Sequence, residues 1–349
     1  MSKQIRIGAI GCGYWGPNLI RNFIEIPNSE LVSVADLDQK LLDRLSGRFP
    51  QIQHTTTNYR DLFEMDLDAV VIATPPQTHF TIAKDCMENG LHALVEKPLT
   101  LNSKEARDLV KIAEQHKKVL MVGHVFEYNT GVLALKDLIE SGELGDIYYI
   151  DFVRASLGLF QTKANVLWDL APHDISILRF LLGEDPLTVS STGLSCVNNG
   201  IEDIAYTTFT FPKRILAHIR SSWLDPSKTR SVTVVGSKKM VVYDDLEPLE
   251  KIKIYDKGVE VIRRTDTFGD FSFAYHYGDM IAPYYRFEEP LREECKHFID
   301  CIETGNTPRS DGENGLRVVQ ILEAADYSLK NKGLTVSMNY ETSEISAAD

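Results

Sequence analysis

Lys97 lies in a sequence setting that could give its side chain a chemical role. It stands between Glu96 and Pro98, directly after the apolar segment 92–95, HALV. In a partly dry cleft the ammonium form of a lysine is destabilised by lost solvation, so the side chain exchanges protons closer to neutral pH. Glu96 could orient this side chain. An ordinary solvated lysine in a salt bridge is the alternative, and the spacing alone leaves it open.

Asp169 and His173 form a second candidate pair, in the segment 165–174, NVLWDLAPHD. They are four residues apart, so in a helix they would share one face. An imidazole titrates near physiological pH and can relay a proton. Because proline is tolerated mainly at the start of a helix, Pro172 predicts that a helix over 175–182 begins about here. The alternatives are that Asp169 is an N-cap and His173 a satisfied core histidine.

The elements that would position these residues start with a glycine-rich turn. Segment 5–16, IRIGAIGCGYWG, is an apolar strand that runs into Gly11, Gly13 and Gly16 and then into helically spaced apolar residues. Such glycines allow a tight turn, close approach of a pyrophosphate and close helix packing, and the helix N-terminus favours phosphate. Asp36 ends the second strand, where a carboxylate can bind ribose hydroxyls. The pattern predicts a dinucleotide site, with a ligand-free turn as the alternative.

The residues around Asp36 indicate which dinucleotide is bound. Leu37 follows it, and no arginine stands where a 2′-phosphate would lie. The carboxylate of Asp36 would repel such a phosphate, so NAD(H) is favoured over NADP(H), although Lys40 lies nearby. Cys12 is interpreted as filling a turn position.

Two further segments follow strands of the predicted sheet. Residues 74–79, TPPQTH, come after the apolar strand 69–73, and residues 96–98 come after 92–95. Ligands of open α/β sheets bind at the carboxyl ends of the strands, so both segments could meet a cofactor. Pro75 and Pro76 would form a rigid wall beside it, or would simply end a strand.

Composition excludes several classes of function. The 349 residues suit two domains, and 43% of them are hydrophobic, as a substantial core requires. No apolar run is long enough for a membrane span, and the N-terminus lacks the features of a signal peptide. The five cysteines are scattered, which is typical of a cytoplasmic protein. With a net charge of −13 and no basic cluster, nucleic acid and membranes are poor partners. No metal-ligand spacing occurs.

Hydrophobic periodicity predicts an α/β fold with two domains. Residues 1–123 alternate between strands and helices, which predicts a doubly wound parallel sheet. Residues 124–338 predict a second α/β domain with an open, mostly antiparallel sheet. Within it we predict a turn at 256–258, an irregular segment at 268–287 and two closing helices. Residues 339–349 form a tail, with 341–349 frayed.

Five ordered motifs together resemble the Gfo/Idh/MocA oxidoreductase family. They are IGAIGCGYWG, VVIATPPQTH, EKPL, the Asp-x-x-x-His of WDLAPHDISIL, and SDGENGL. The resemblance covers roughly residues 4–338 and implies a Rossmann domain followed by an α/β domain, residues 124–338, for substrate binding and oligomerisation. It implies that the open sheet of this second domain packs against another subunit, giving a homodimer or homotetramer. It also implies that Lys97, Asp169 and His173 line the site where substrate meets nicotinamide.

Within that family, GYWGPN and LWDLAPHDISIL look most like the 3-dehydrogenases of UDP-N-acetylglucosamine or its uronic acid. This implies an NAD-dependent enzyme that transfers hydride at a sugar ring carbon of a nucleotide-linked amino sugar, with C3 as the favoured carbon. The segment VGHVFEYNTG has His124, Phe126 and Tyr128 where sugar and polyol members often have Asn-x-Arg-Phe, so their substrate contacts do not carry over directly. A free-sugar or polyol (inositol-like) dehydrogenase and a non-catalytic dinucleotide-binding regulator are the alternatives.

The candidate residues fall into three groups. The catalytic candidates are Lys97, His173 and Asp169, and either Lys97 or His173 could be the base. The candidate cofactor contacts are Gly11, Cys12, Gly13, Tyr14, Trp15, Gly16, Asp36, Leu37, Thr74, Pro75, Pro76, His79, Glu96, Lys97, Pro98 and Trp168. The candidate substrate contacts are Lys97, His124, Tyr128, Arg154, Asn165, Asp169 and His173.

Overall fold

The computed structural model describes residues 4–197, 199–263, 271–341 and 346–347. The chain forms two compact units, of which the first comprises Met1–Tyr128 and Glu288–Gln320, and the second comprises Asn129–Phe287 and Ile321–Asp349. The chain therefore contributes two segments to each unit. Within the described ranges, every helix is too short or too polar to cross a membrane.

The strands and helices are numbered in chain order. The strands are β1 (Ile5–Ile10), β2 (Ser29–Ala35), β3 (His54–Thr56), β4 (Ala69–Ile72), β5 (His92–Glu96), β6 (Leu120–Gly123), β7 (Ile147–Ala155), β8 (Thr188–Leu194), β9 (Ile204–Thr210), β10 (Leu216–Ser222), β11 (Thr229–Gly236), β12 (Met240–Asp244), β13 (Ile252–Arg263), β14 (Phe271–Ile281), β15 (Val336–Ser337) and β16 (Ser346–Ala347). The helices are α1 (Gly16–Glu25), α2 (Gln39–Arg48), α3 (His79–Glu88), α4 (Ser103–His116), α5 (Thr130–Glu140), α6 (Val166–Leu182), α7 (Pro290–Thr304) and α8 (Gly312–Lys330).

The first unit contains a six-stranded parallel sheet in the order β3-β2-β1-β4-β5-β6. The strand order reverses at β1, which is the arrangement of a dinucleotide-binding sheet. Both faces are covered, as a parallel sheet requires. On one face Phe23 of α1 meets Phe298 of α7 edge-on, with ring centroids 6.4 Å apart. On the other face Leu109 of α4 packs in the cluster that contains Val70 and Ala93.

The second unit contains a ten-stranded sheet in the order β14-β13-β12-β11-β7-β10-β9-β8-β15-β16. All pairs are antiparallel except β7 with β10, which run parallel. Ile150 and Phe152 of β7 are buried, while Tyr149, which precedes them on the same strand, is exposed. Side chains alternate between the two faces of a strand, so one face of this sheet is packed and the other is open. The predicted fold class is thus confirmed.

Two adjoining predictions in the second unit are wrong. We expected a turn at 256–258, but β13 continues through it with only a register shift between Tyr255 and Lys257. We also expected an irregular segment at 268–287, which is wrong for 271–281, because β14 pairs there with β13, whereas residues 282–287 belong to neither a helix nor a strand. Phe273, Tyr275 and Tyr277 alternate with smaller or polar residues, which is the period of a strand. Residues 264–270 lie outside the described residues.

The C-terminal tail is partly ordered. Ser346–Ala347 pairs with Val336–Ser337, which in turn pairs with β8, so the prediction of fraying over 341–349 is wrong for these two residues. The pairing is anchored by Val336, which is fully buried. Positions 342–345 and 348–349 lie outside the described residues.

Candidate active site

The glycine turn after β1 has the shape of a phosphate cradle. Gly11 has φ +99°, and a Cβ there would lie 2.6 Å from the carbonyl oxygen of Ala73. A Cβ at Gly16 would collide with the carbonyl oxygen of Gly11. A Cβ at Gly13 would meet nothing within 4 Å, and Gly13 is exposed. Two glycines are therefore required by close packing, and the third leaves open space for a ligand.

Helix α1 directs its N-terminus at this turn. Trp15 occupies the N-cap position without a side-chain hydrogen bond, Pro17 lies in the first turn, and no acidic residue accompanies it. Since no side chain caps its N–H groups, the positive end of the helix dipole is available to an anion. The open space at Gly13 and this uncapped terminus together fit the pyrophosphate of a dinucleotide.

Asp36 is fixed to the same turn by hydrogen bonds. Its Oδ2 accepts from the backbone N–H of Cys12 at 2.6 Å, and its Oδ1 accepts from the N–H of Asp38 at 2.9 Å. The carboxylate is therefore oriented beside the turn, as a ribose-binding group should be. Leu37 is 91% exposed. Burial raises the pKa of the Cys12 thiol to about 12, which fits an unreactive turn residue.

His79 connects the two other strand-end segments. Its Nε2 lies 2.8 Å from the carbonyl oxygen of Thr74, and its Nδ1 lies 2.9 Å from that of Pro98. The ring is buried, and this burial lowers the pKa of His79. The residues that follow β4 and β5 are therefore held together, and Lys97 lies in the second of these segments, joined to Pro98 by a cis peptide bond.

Lys97 and Glu96 are neighbours in space as well as in sequence. The Oε2 of Glu96 accepts from the backbone N–H of Lys97 at 3.2 Å. The same carboxyl group lies against Gly123 of β6, where a Cβ would stand 3.2 Å from it. Burial raises the pKa of Glu96 to about 7, opposed by the positive charge of Lys97. Lys97 itself is half-buried.

Helix α6 carries the candidate residues of the second unit, and it begins earlier than predicted. It starts at Val166, with the Oδ1 of Asn165 accepting from the N–H of Trp168 at 3.2 Å, and it continues through Pro172. The helix start predicted near Pro172 is therefore wrong. Pro172 has no backbone N–H, so the hydrogen bond to the carbonyl oxygen of Trp168 is missing. The Asn165 cap and the buried turns on either side of Pro172 nevertheless stabilise the helix. Asp169 and His173 consequently lie one turn apart on the same helix, and Asp169 is not the N-cap.

Trp223 fixes one oxygen of Asp169. The indole Nε1–H donates to Oδ2 at 2.9 Å, and Trp223 is only 1% exposed. Phe160 packs against the indole with ring centroids 5.7 Å apart. Trp223 was not among the residues predicted from the sequence. Its position directly after β10, in a chain with three tryptophans, was the only available signal.

Arg154 and Asn165 are engaged with protein groups. The Nε of Arg154 lies 3.0 Å from both carboxylate oxygens of Asp174, and its Nη2 lies 2.6 Å from Oδ1, in a buried pair. This ion pair ties β7 to α6 beside His173. The Nδ2 of Asn165 donates to Asp326 at 2.9 Å. Asn165 therefore caps α6, and Arg154 binds Asp174 on the same helix. Their predicted contact with substrate stays a prediction.

The other two substrate candidates are buried in the first unit. Tyr128 Oη lies 3.1 Å from Ser310 Oγ, and the guanidinium of Arg309 lies 4.9 Å from the Tyr128 ring centroid. His124 is 1% exposed. Tyr128 packs in the core cluster that contains Phe298 of α7, where the charge of Glu294 acts on it. Their predicted contact with substrate also stays a prediction.

Comparisons with known proteins identify the family of this chain. The family model described as "Oxidoreductase family, NAD-binding Rossmann fold" matches residues 5–124, and that of the GFO/IDH/MocA C-terminal domain matches residues 132–242. The chain belongs to the Gfo/Idh/MocA family. It is accordingly an oxidoreductase-family protein with an NAD-binding Rossmann fold.

Individual relatives are distant but extend over nearly the whole chain. The chain is 25% identical to scyllo-inositol 2-dehydrogenase (NAD(+)) of Bacillus subtilis, over 97% of this chain and 98% of that protein. It is also 25% identical to UDP-N-acetylglucosamine 3-dehydrogenase of Acidithiobacillus ferrooxidans, over 90% and 94%. The solved structure of GenD2 from gentamicin A biosynthesis, in complex with NAD, superposes with a TM-score of 0.79 at 23% identity, over 97% of each chain.

Proposed function

We propose that this protein is an NAD-dependent dehydrogenase acting on a CH–OH group of a sugar ring, with C3 of a nucleotide-linked amino sugar as the favoured position. The observation that carries the proposal is the Asp169–His173 pair on one turn of α6, with Asp169 oriented by Trp223. A binding module without catalysis has no need of an acid and an imidazole held in this way. Lys97, beside Glu96, is the second proton-exchanging group.

The chain's own residues account for binding and proton transfer. The N-terminus of α1 holds the pyrophosphate, and Asp36 binds the adenosine ribose. Bound NAD supplies the hydride acceptor. Lys97 or His173 takes the proton of the substrate hydroxyl, and Asp169 orients the imidazole or binds a neighbouring hydroxyl. A general base of matched pKa typically contributes about 10²–10⁴-fold to the rate.

The nucleotide-sugar assignment is supported by the motifs GYWGPN and LWDLAPHDISIL and by the relative named UDP-N-acetylglucosamine 3-dehydrogenase. A polyol substrate is the second candidate, because the scyllo-inositol 2-dehydrogenase is equally similar at 25% identity. The cofactor preference for NAD over NADP rests on Asp36 and exposed Leu37. The oligomer proposal, a homodimer or homotetramer, rests on the open sheet face, where Tyr149, Tyr206 and Leu216 are exposed.

A substrate panel with NAD tests the function. We expect NADH to form with UDP-N-acetylglucosamine or its uronic acid, and each true ligand to raise the melting temperature. Turnover of inositol without turnover of nucleotide sugars would select the polyol substrate. Binding of NAD without turnover on any member of the panel would contradict catalysis. Replacing Asp36 with Ser and Leu37 with Arg should shift the ratio of dissociation constants toward NADP.

A further inference from the structure

The motif SDGENGL, residues 310–316, includes the first turn of α8 and takes no part in the proposed chemistry. Ser310 attaches this motif to the outer edge of β6, the last strand of the parallel sheet. The backbone N–H of Val122 donates to the carbonyl oxygen of Ser310 at 2.7 Å, and the Ser310 hydroxyl donates to the carbonyl oxygen of Val122 at 2.7 Å. Val122 also pairs with Val95 of β5. Its backbone is therefore held from both sides.

The turn that follows β6 holds the start of α8 as well. The Nδ2 of Asn314 donates to the Oε1 of Glu127 at 3.1 Å, and Arg309, which precedes the motif, donates to the backbone carbonyl of Glu127 at 2.7 Å. The Oη of Tyr128 lies 3.1 Å from the Oγ of Ser310. Glu127, Tyr128 and Ser310 are all buried. Since these contacts fix the first turn of α8 against β6 and the turn after it, this end of the helix has little freedom to shift.

Gly315 lies where this helix turn meets both β6 and the segment EKPL. A Cβ at position 315 would stand 2.6 Å from Cγ2 of Val122 and 3.0 Å from Cδ2 of Leu99. Non-bonded carbon atoms prefer a separation of about 3.5–4.0 Å, so neither contact could be kept. Leu99 is fully buried, in the core cluster that also contains Val122 and Leu316. The missing side chain of Gly315 therefore makes the room that Leu99 occupies.

Leu99 is connected to Lys97 by a short stretch of backbone. Pro98 alone separates the two residues, and its carbonyl oxygen lies 2.9 Å from Nδ1 of His79. His79 and Leu99 are both buried, so the chain after Lys97 is held by one polar contact and by one packed side chain. A displacement of Leu99 consequently moves the backbone to which the Lys97 side chain is attached.

We propose that Gly315 is a positioning residue for Lys97. Its lack of a side chain lets Leu99 pack against the first turn of α8, and this contact sets the place from which the Lys97 side chain reaches the substrate hydroxyl. The inference rests on the proposed dehydrogenase function. Groups that exchange a proton must approach within hydrogen-bond reach, and a misplacement of about 1 Å can lower a rate by about 10²-fold. A methyl group at position 315 should therefore impair turnover more than binding.

Gly312 provides a matched control for Gly315. It lies in the same first turn of α8, and a Cβ there would stand 2.7 Å from Cδ2 of Leu120 and 3.2 Å from Cγ2 of Val110. Gly312→Ala and Gly315→Ala therefore add the same methyl group to the same helix turn with similar crowding. Leu120 begins β6, at the end opposite to the turn that follows it, and Val110 lies on α4, so the crowding at Gly312 is not directed at Leu99.

Steady-state kinetics with NAD and the sugar that the panel identifies distinguish the two variants. Gly315→Ala should lower kcat by about 10–10²-fold, while KM for the sugar and the dissociation constant for NAD change little. Gly312→Ala should keep the wild-type kcat, although overpacking lowers the melting temperature of both variants to a similar extent. Equal losses of kcat in the two variants, or an unchanged kcat in Gly315→Ala, would overturn the proposal.

Leu99→Ala keeps the proposal testable if Gly315→Ala alone is too crowded to fold, because it gives the new methyl group room. Leu99→Ala should itself lower kcat, since Lys97 loses the same packed side chain. In that background, Gly315→Ala should have little further effect, because the contact between the two positions is already lost. A further large loss of kcat in the double variant would show that the two residues act independently, and would overturn the proposal.

Amide hydrogen exchange of the ligand-free protein gives a readout independent of catalysis. In Gly315→Ala we expect faster exchange of the peptide that spans residues 96–102 than in Gly312→Ala or the wild type, because Leu99 is displaced. Unchanged exchange of this peptide in Gly315→Ala, with wild-type turnover present, would overturn the positioning role alone. Wild-type protein that turns over no sugar would overturn the proposed function, and the role of Gly315 in catalysis with it, whatever the exchange shows.

Discussion

The acidic side chains on α6 of the second unit and those behind β5 and β6 of the first unit are held in different ways. Around α6 in the second unit, Asp174 is met by the guanidinium of Arg154, and Asp169 is met by the indole N–H of Trp223. Behind β5 and β6 in the first unit, Glu294 has no such donor among the described residues, and Glu96 accepts a backbone N–H at 3.2 Å. Donors favour the charged form and burial without donors favours the neutral form. The acidic side chains on α6 are therefore positioned by donors, whereas burial favours the neutral form of Glu294.

The largest expected effect comes from removing the positive charge of Lys97 in the first unit. Lys97→Met should lower kcat by about 10²–10⁴-fold, because the base or its electrostatic partner is lost, while NAD still binds to the glycine turn. Steady-state kinetics and NAD titration measure the two effects. Lys104→Met, on the exposed side of α4, is the control. Near wild-type kcat in Lys97→Met would remove Lys97 from the chemistry.

Breaking the buried ion pair of the second unit should affect stability rather than proton exchange. Arg154→Met leaves Asp174 buried without its partner, which typically costs about 3–5 kcal/mol of unfolding free energy. Lys213→Met breaks the exposed pair with Glu184 and should cost at most about 1 kcal/mol. Urea unfolding of both variants gives the comparison. Equal losses in the two would show that burial does not distinguish these pairs.

In the first unit, by contrast, the effect of a substitution on stability should depend on pH. The unfolding free energy of Glu294→Gln relative to that of the wild type should increase as the pH rises. The folded pKa of Glu294 is raised above its unfolded value, so its favourable contribution is complete below the unfolded pKa and is lost as the pH increases. Each pH unit between the two pKa values is worth about 1.4 kcal/mol, and an amide does not titrate. Unfolding free energies at pH 5 and pH 8 test this. A constant difference between variant and wild type at both pH values would contradict it.

The smallest expected effect is the loss of a single donor in the second unit. Trp223→Phe keeps an aromatic ring against Phe160 but removes the N–H that binds Asp169. A hydrogen bond to a charged group is worth about 1.5–3 kcal/mol, so kcat should fall roughly tenfold, and its pH profile should shift. Phe160→Leu, which alters the packing but not the donor, should leave the profile in place. If both variants behave alike, Trp223 acts by packing alone.

The first unit could be predicted from the sequence in more detail than the second. Its central strands are apolar on both faces, and two of its helices have side-chain caps: Asp38 at the start of α2 and Asn102 at the start of α4. The glycine turn and Asp36 were recognisable because close packing permits few other residues. The β13–β14 pair was missed because aromatic residues and glycine suggested loops, although the alternation of Phe273, Tyr275 and Tyr277 has the period of a strand.

The candidate site was only partly predictable, because tertiary packing decides it. Pro172 suggested a helix start, but α6 begins at Val166 with Asn165 as its cap and continues through Pro172, because the residues on either side of Pro172 are buried. Glu294 was not identified from the sequence, although it stands three residues after Leu291 and four before Phe298, on the apolar stripe of α7. That spacing was the available signal for a buried acid.

The imidazole of His79 joins two loops at once, with Thr74 on one side and Pro98 on the other. Burial favours the neutral ring, which carries a single N–H, so His79 donates to one of these carbonyl oxygens and lies in close contact with the other. A displacement of either loop therefore disturbs the position of the ring. If the nicotinamide of bound NAD rests against the first loop, as proposed, binding of the coenzyme would also affect the position of the lysine that precedes Pro98.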